Sequence, residues 1–166
     1  MAQQTMTEKE MFLNAFEREY DTTLKVLRAY PPDKMSLKAS ERSGTAGEIA
    51  WTIVLEQMLV DPIMKGEVMP QGLPPVPSTW KGLLDSFEAA HREAVPKLQK
   101  MTETEMNGPV RMPVGPKQIG DMRRGDALWL FHCDSIHHRG QISIYLRMAG
   151  AKVPSIYGPS GDEPWM

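Results

Sequence analysis

The sequence predicts an all-α protein, a four-helix bundle with a long crossover between its second and third helices. Three observations predict it. Four long segments repeat apolar residues at helical spacing, and no stretch alternates convincingly as a strand would. The last of them, residues 126–148, is apolar over so wide an arc that it belongs at the centre of a bundle rather than on its surface. Between the second and third segments lies GEVMPQGLPPVPS, residues 66–78, whose four prolines cannot sit in a helix interior or a central strand. Its composition gives a stiff, extended excursion, the connection a bundle needs when consecutive helices are not antiparallel neighbours. The chain's 166 residues suit one domain, spanning 1–166, with a sizeable core.

The first helix begins at Thr7. Thr7 and Glu10 form a capping box, each side chain satisfying a free backbone N–H of the other, and Phe12, Phe16, Tyr20, Leu24 and Leu27 follow at helical spacing. Pro31 and Pro32 stop it, because proline disfavours helix in the residue before it. Residues 33–44 are polar and read as a connection. A second capping box, Thr45 with Glu48, opens the second helix, whose apolar arc is Ile49, Ile53, Met58 and Leu59, joined by Trp51 and Leu55. Pro62 or Gly66 ends it.

The third helix runs from about Thr79 to Met101 on Leu83, Phe87, Ala90, Ala94, Leu98 and Met101. Pro96 inside it predicts a kink or a new segment. His91 has no ligand partner in its own turn and reads as a surface or boundary histidine. Residues 103–123 are a second long connection in which 110–112 and 113–115 form short extended pieces. The last helix ends near Gly150, where glycine tolerates the left-handed conformation. The tail after it carries Val153, Ile156, Tyr157 and Trp165, so it packs across the bundle or against a partner subunit.

The totals narrow the function classes. Net charge is −2 with no basic run, which speaks against a nucleic-acid partner. No apolar run approaches the ~20 residues of a membrane span, and the polar N-terminus is unlike a secretory signal. A single cysteine allows no internal disulfide and suits a reducing cytoplasm. Thirteen methionines read as adaptable core filler.

The last helix holds three of the four histidines and the cysteine. Phe131, Ile142 and Tyr145 mark one apolar face, and Leu130, Ile144 and Met148 a neighbouring one. Asp134, His138 and Gln141 interrupt the first. Asp134 and His138 are i and i+4, so they project the same way about 6 Å apart along the axis. A carboxylate and an imidazole aimed into a core need a partner, either a metal ion or each other. His137 points about 100° away and reads as a packed or interface histidine, and Arg139 as an ion-pair or interface residue. Gly140 suggests close approach by another helix. Cys133 leaves the Asp134 face and has no base evident beside it, so it reads as a buried inert thiol. No phosphate-loop, dinucleotide, zincin, CxxC or nucleophile-elbow motif is present.

The run IHHRGQISIYLR, residues 136–147, resembles the C-terminal helix of the DinB-like family, within the DinB/YfiT-like metalloenzyme superfamily. The tail KVPSIYGPS, residues 152–160, is similar to one branch of that family, and Glu48-Ile49-Ala50-Trp51 resembles its second-helix motif. The resemblance implies a four-helix bundle with a crossover between helices two and three, often a homodimer. It implies a divalent metal, zinc, nickel or manganese, held in the commonest pattern by one histidine of helix two and an HxxxH on the last helix. Here the corresponding positions are Thr52, Asp134 and His138, so one of three imidazoles remains, and a threonine hydroxyl is a poor ligand for zinc or nickel. Glu48 or Glu56 is available to help. Glu56 lies one turn beyond Thr52 on the same face. The implied activity is a metal-dependent transferase using a low-molecular-weight thiol, or a hydrolase, with a small-molecule substrate. The rival expectation is a non-catalytic homodimer, stress-associated or ligand-binding, in which Thr52, Asp134 and His138 form a hydrogen-bonded cluster without metal.

Overall fold

A computed structural model describes residues 6–68 and 72–166 of the chain. Residues 69–71 of the proline-rich loop and 1–5 of the polar N-terminus lie outside the described residues. The described chain is mostly helical: α1 Glu8–Ala29, a 3-10 turn Pro32–Lys34, α2 Ala46–Met58, α3 Val60–Lys65, α4 Trp80–Lys100, α5 Glu103–Met106, a hairpin of β1 Pro109–Gly115 and β2 Gln118–Arg123, and α6 Arg124–Met148. α2 packs on α6 and α4, and α1 packs on the same two helices.

The helix starts are set by local chemistry. Thr7 and Thr45 cap α1 and α2 with both reciprocal bonds of the capping box in place, and Thr79 caps α4 through the Gly82 amide. α1 ends at Tyr30 before the proline pair. α2 gives way at Leu59 to the short α3, which stops at Gly66 with φ 90°, a conformation that favours glycine. Gly150, at φ 74°, plays the same part after α6. α4 runs through Pro96 as one helix, so no new segment begins there. Pro96 and Arg92, the residue whose carbonyl loses its helical donor, are both exposed.

The hairpin corrects the all-α expectation. β1 and β2 pair antiparallel from Pro109 opposite Arg123 to Gly115 opposite Gln118, with an irregularity between Pro113 and Gly115. The Val68 amide donates to the Arg111 carbonyl at 2.8 Å and the Arg111 amide to the Gly66 carbonyl at 2.9 Å, so the start of the loop after α3 lies along β1. A third capping box, Thr102 with Glu105, opens α5.

The core divides into two clusters. One holds Leu24, Leu27, Tyr30, Trp51, Trp80, Phe87, Ile142 and Tyr145 among others. The other holds Phe12, Phe16, Leu59, Ile63, Leu98, Val110, Met112 and Leu128 among others. The buried polar residues Glu19, Thr23, Glu56, Gln57, His132 and Arg139 fall between the stretches of α1, α2 and α6 that feed the two clusters. Partly buried His91 holds the same position on α4, its ring stacked on Tyr20 at 3.7 Å between centroids, and burial pushes its pKa down to about 4.

Side chains tie the connections to this frame. The Trp51 indole donates to the Pro74 carbonyl at 2.9 Å, and the Trp80 indole to the Leu27 carbonyl at 2.8 Å. The Tyr145 hydroxyl donates to the Gly44 carbonyl at 2.8 Å and accepts from the Ala39 amide at 3.2 Å. The tail folds back within the chain. Glu163 accepts from Lys25 at 2.7 Å, Asp162 accepts from the Val153 amide at 2.8 Å, and Val153 is buried.

α6 is not enclosed all round. Leu130, Ile144 and Met148 are exposed, Ile144 to 60%, and Cys133 is exposed rather than buried. A Cβ at Gly140 would meet nothing within 4 Å, so among the described residues no other helix approaches closely there. Helical spacing reports an apolar arc without saying which arc the rest of the chain covers. Among the described residues no helix is long and apolar enough to cross a membrane.

Candidate metal centre

α2 and α6 face each other across the middle of the molecule, and their facing turns carry Glu56, Asp134 and His138. One ligand atom from each lies within 4.8 Å of the others. His138 Nε2 stands 3.5 Å from Asp134 Oδ2 and 4.0 Å from Glu56 Oε1. Donor atoms about 2.1 Å from a tetrahedral cation stand about 3.4 Å apart, so a small inward movement of Glu56 gives ligand spacing.

The i,i+4 relation on α6 places Asp134 and His138 on one face, as the sequence predicts. The His138 ring is held from behind. Its Nδ1 lies 2.9 Å from Gln141 Oε1, while Gln141 Nε2 lies 3.1 Å from His137 Nε2. An amide oxygen only accepts, so Nδ1 donates to it, and in the neutral ring Nε2 then turns a lone pair toward the two carboxyl groups. That arrangement calls for a cation or a shared proton between them. A hydrogen bond at the far ring nitrogen is also the usual support of a metal-binding imidazole.

Glu56 makes the strongest demand. It is 7% exposed, and both carboxyl oxygens are buried without a hydrogen-bond partner. Burial, and next the neighbouring Asp134 carboxyl, push its pKa up to about 9. A buried carboxyl with no partner is costly unless neutralised. Asp134 is 48% exposed on its side chain, so the group opens to solvent on that side. Two carboxyl groups and one imidazole are a donor set that zinc and manganese accept, and the residues present therefore fit a divalent cation. Thr52 is half-buried and its hydroxyl donates to the Glu48 carbonyl of its own helix at 3.1 Å. Glu48 caps α2 through Thr45 and is exposed.

Glu56 and Ser135 also line a small cleft between α1, α2, α3 and α6, of about 20 Å³, room for about one water molecule. Its walls include Phe12, Phe16, Tyr20 and Phe131, and its polar lining includes Gln57, Glu19 and His132. His132 was not legible as a site residue. It is buried with its ring edge-on to Phe12 at 5.7 Å and Trp129 at 5.8 Å, and burial lowers its pKa. The available signal was spacing, since His132 is seven residues before Arg139 and four after Leu128, on their face of α6.

Arg139 is an ion-pair residue, as expected, and is almost wholly buried. It donates to Glu19 Oε2 and to Tyr157 Oη, at 2.7 and 2.5 Å, and to Thr23 Oγ1 at 3.2 Å. The Tyr157 hydroxyl also donates to Glu19 at 2.7 Å. Burial alone raises the Glu19 pKa, but the bonds from Tyr157 and Arg139 outweigh it and hold the carboxyl below its ordinary value.

The family model described as the DinB family matches residues 1–165. The uncharacterized protein YrdA of Bacillus subtilis (strain 168) is 28% identical over 154 residues, covering 92% of this chain and 89% of its own. The crystal structure of a DinB-like protein from Bacillus cereus ATCC 10987 superposes with a TM-score of 0.71 at 26% identity, over 88% of this chain and 95% of that one. A DinB-like protein from Bacillus subtilis superposes with a TM-score of 0.70 at 19% identity, over 87% and 96% of the two chains, a likeness of fold.

Proposed function

The chain belongs to the DinB family, and from that premise we propose that it is a metal-dependent enzyme of thiol-transferase or hydrolase type, working at Glu56, Asp134 and His138. The four long helices are read as the family's bundle, with the chain acting in a reducing cytoplasm. The observation that carries the proposal is Glu56: a buried carboxyl, without a hydrogen-bond partner, facing the Nε2 atom of His138. Three protein ligands leave a cation open positions, which separates a catalytic site from a structural one. A bound cation would supply Lewis acidity that lowers the pKa of a low-molecular-weight thiol or of water. The residues' own work is positional. Gln141 fixes the His138 ring, Asp134 holds the solvent side, and Glu56 holds the side that borders the cleft. Thr52 contributes no imidazole, so affinity rests on the two carboxyl groups.

The test is elemental analysis of untagged protein purified without chelator and reloaded with zinc, nickel or manganese. Near one metal per chain is expected, falling to near zero in His138→Ala. Unchanged metal content in that variant would remove His138 from the site.

One observation favours a second reading, a non-catalytic module without metal: Glu56, with its raised pKa, can share a proton with Asp134. Thr52 bonds its own helix, so the expected cluster of Thr52 with Asp134 and His138 does not form. On that reading a chelator leaves the melting temperature unchanged.

We also propose a homodimer that covers the exposed arc of α6. Leu130, Ile144 and Met148 form an apolar stripe, with Cys133, His137 and Gly140 between them, and a second copy of α6 would cover it. Ile144→Glu is expected to convert a dimer to a monomer in sedimentation equilibrium, and a monomeric wild type would refute the interface.

A further inference from the structure

We infer that His137 is a positioning residue for the metal group: through the Gln141 amide, its hydrogen-bonding role is coupled to which ring nitrogen of His138 carries the lone pair. This names a regulation of the proposed site, and it rests on His138 being a metal ligand. Three observations carry it.

The three side chains form one hydrogen-bonded chain on α6. His138 Nδ1 lies 2.9 Å from Gln141 Oε1, and Gln141 Nε2 lies 3.1 Å from His137 Nε2. Gln141 is i+3 from His138 and i+4 from His137, so one turn of the helix brings both rings to the same amide.

The chain has two registers. In the one that the structure holds, the amide oxygen accepts from His138 Nδ1 and the amide nitrogen donates to His137 Nε2. His138 Nε2 then keeps the lone pair that a cation needs. Turning the amide over reverses both bonds. His137 Nε2 donates to the amide oxygen, His138 Nδ1 accepts from the amide nitrogen, and the His138 proton stands on Nε2, facing Asp134 Oδ2 at 3.5 Å. Both rings are neutral in both registers, so the difference is one of tautomer and not of charge.

The two ends of the chain lie in different surroundings. The His138 side chain is 21% exposed and faces two carboxyl groups, whereas His137 is exposed. A cation on His138 Nε2 selects the register in which His137 accepts. Coupling is reciprocal, so a side chain or contact that fixes the role at position 137 sets the affinity at His138.

The test places at position 137 a side chain with only one role. His137→Glu can only accept, and His137→Lys can only donate. Nitrogen-15 NMR of the metal-free full chain at about pH 8, where imidazole is ordinarily neutral, reads the His138 tautomer, and zinc titration reads the affinity. His137→Glu is expected to hold the proton on Nδ1. His137→Lys is expected to move it to Nε2 and to weaken zinc at least about 10-fold. Charge alone changes zinc affinity in the same directions, so both variants are repeated with Gln141→Glu. That carboxylate accepts only and keeps the His138 proton on Nδ1 whichever residue stands at 137. In this background the tautomer is expected to stay fixed and the zinc difference between the two variants to shrink. An unchanged His138 tautomer in His137→Lys would overturn the inference, and so would an undiminished zinc difference in the Gln141→Glu background. A tautomer that follows position 137 in protein that takes no zinc leaves the coupling standing and removes the metal enzyme. Zinc bound by protein whose tautomer ignores position 137 does the reverse.

Discussion

Glu56→Gln is expected to raise the melting temperature of the metal-free protein and to abolish its response to zinc. Burial and the Asp134 carboxyl push the Glu56 pKa up to about 9, from an ordinary value near 4.5. A carboxyl whose pKa rises on folding favours the fold below its unfolded pKa and loses that advantage as pH climbs toward the folded value. Stability of the metal-free protein should therefore fall steadily from about pH 4.5 to about pH 9. The cost is about 3 kcal/mol at pH 7 and under about 1 kcal/mol at pH 5. Glutamine keeps the shape and never ionises. For a chain of this size the gain at pH 7 is about 6–12 °C, shrinking as pH falls to 5. Zinc at 100 times its dissociation constant should stabilise the wild type by about 2.7 kcal/mol and leave the variant unmoved. Thermal melts at pH 5 and pH 7, with and without zinc, check both halves. A variant that still responds to zinc would show that Glu56 is not a ligand.

Arg139→Met is expected to destabilise the protein by about 3–5 kcal/mol, lowering the melting temperature on the order of 10 °C. Arg139 and Glu19 are 1% and 4% exposed, and removing the guanidinium leaves the buried Glu19 carboxyl with only the exposed Arg18, 3.2 Å from its other oxygen, as counter-charge. Replacing both partners, Arg139→Met with Glu19→Leu, should recover more than half of the loss, since an apolar pair of similar volume carries no stranded charge. A double-mutant cycle on melting temperature reads this directly. Additive losses in the cycle would show that the two side chains are energetically independent despite their 2.7 Å contact.

Local chemistry was legible in the sequence and long-range cover was not. Thr7 with Glu10 and Thr45 with Glu48 marked helix starts because both halves of a capping box sit three residues apart. Pro31 and Gly150 marked ends for equally local reasons. The extended pieces within 110–115 were legible, but their pairing with 118–123 was not. β1 alternates exposed and buried only from Pro109 to Met112 and carries two prolines, and β2 buries no residue, so the alternating stretch is too short to signal a sheet. At the candidate site, Asp134 and His138 were legible from i,i+4 spacing, and Glu56 was within reach of the same argument from Thr52. The pairing of Arg139 with Glu19 joins residues 120 apart, and nothing near either one announces the other. Cys133 was misread because a helix with apolar residues on two arcs gives no local sign of which arc faces out.

The divided core has a consequence for how this molecule opens. α1, α4 and α6 each carry apolar residues into both clusters, as α2 and α3 do together, but the turns between hold Glu19, Glu56, His91 and Arg139. Those turns gain less from apolar burial and depend on the pairing of a few polar groups. Cooperative units often follow such boundaries. Amide hydrogen exchange should then resolve two protected blocks, one around Trp80 and Tyr145 and one around Phe12 and Leu98, with the peptide groups near Glu56 and His132 exchanging earlier than their depth suggests. A metal ion bridging α2 and α6 would close that seam, and the same amides would become the most sensitive reporters of its arrival.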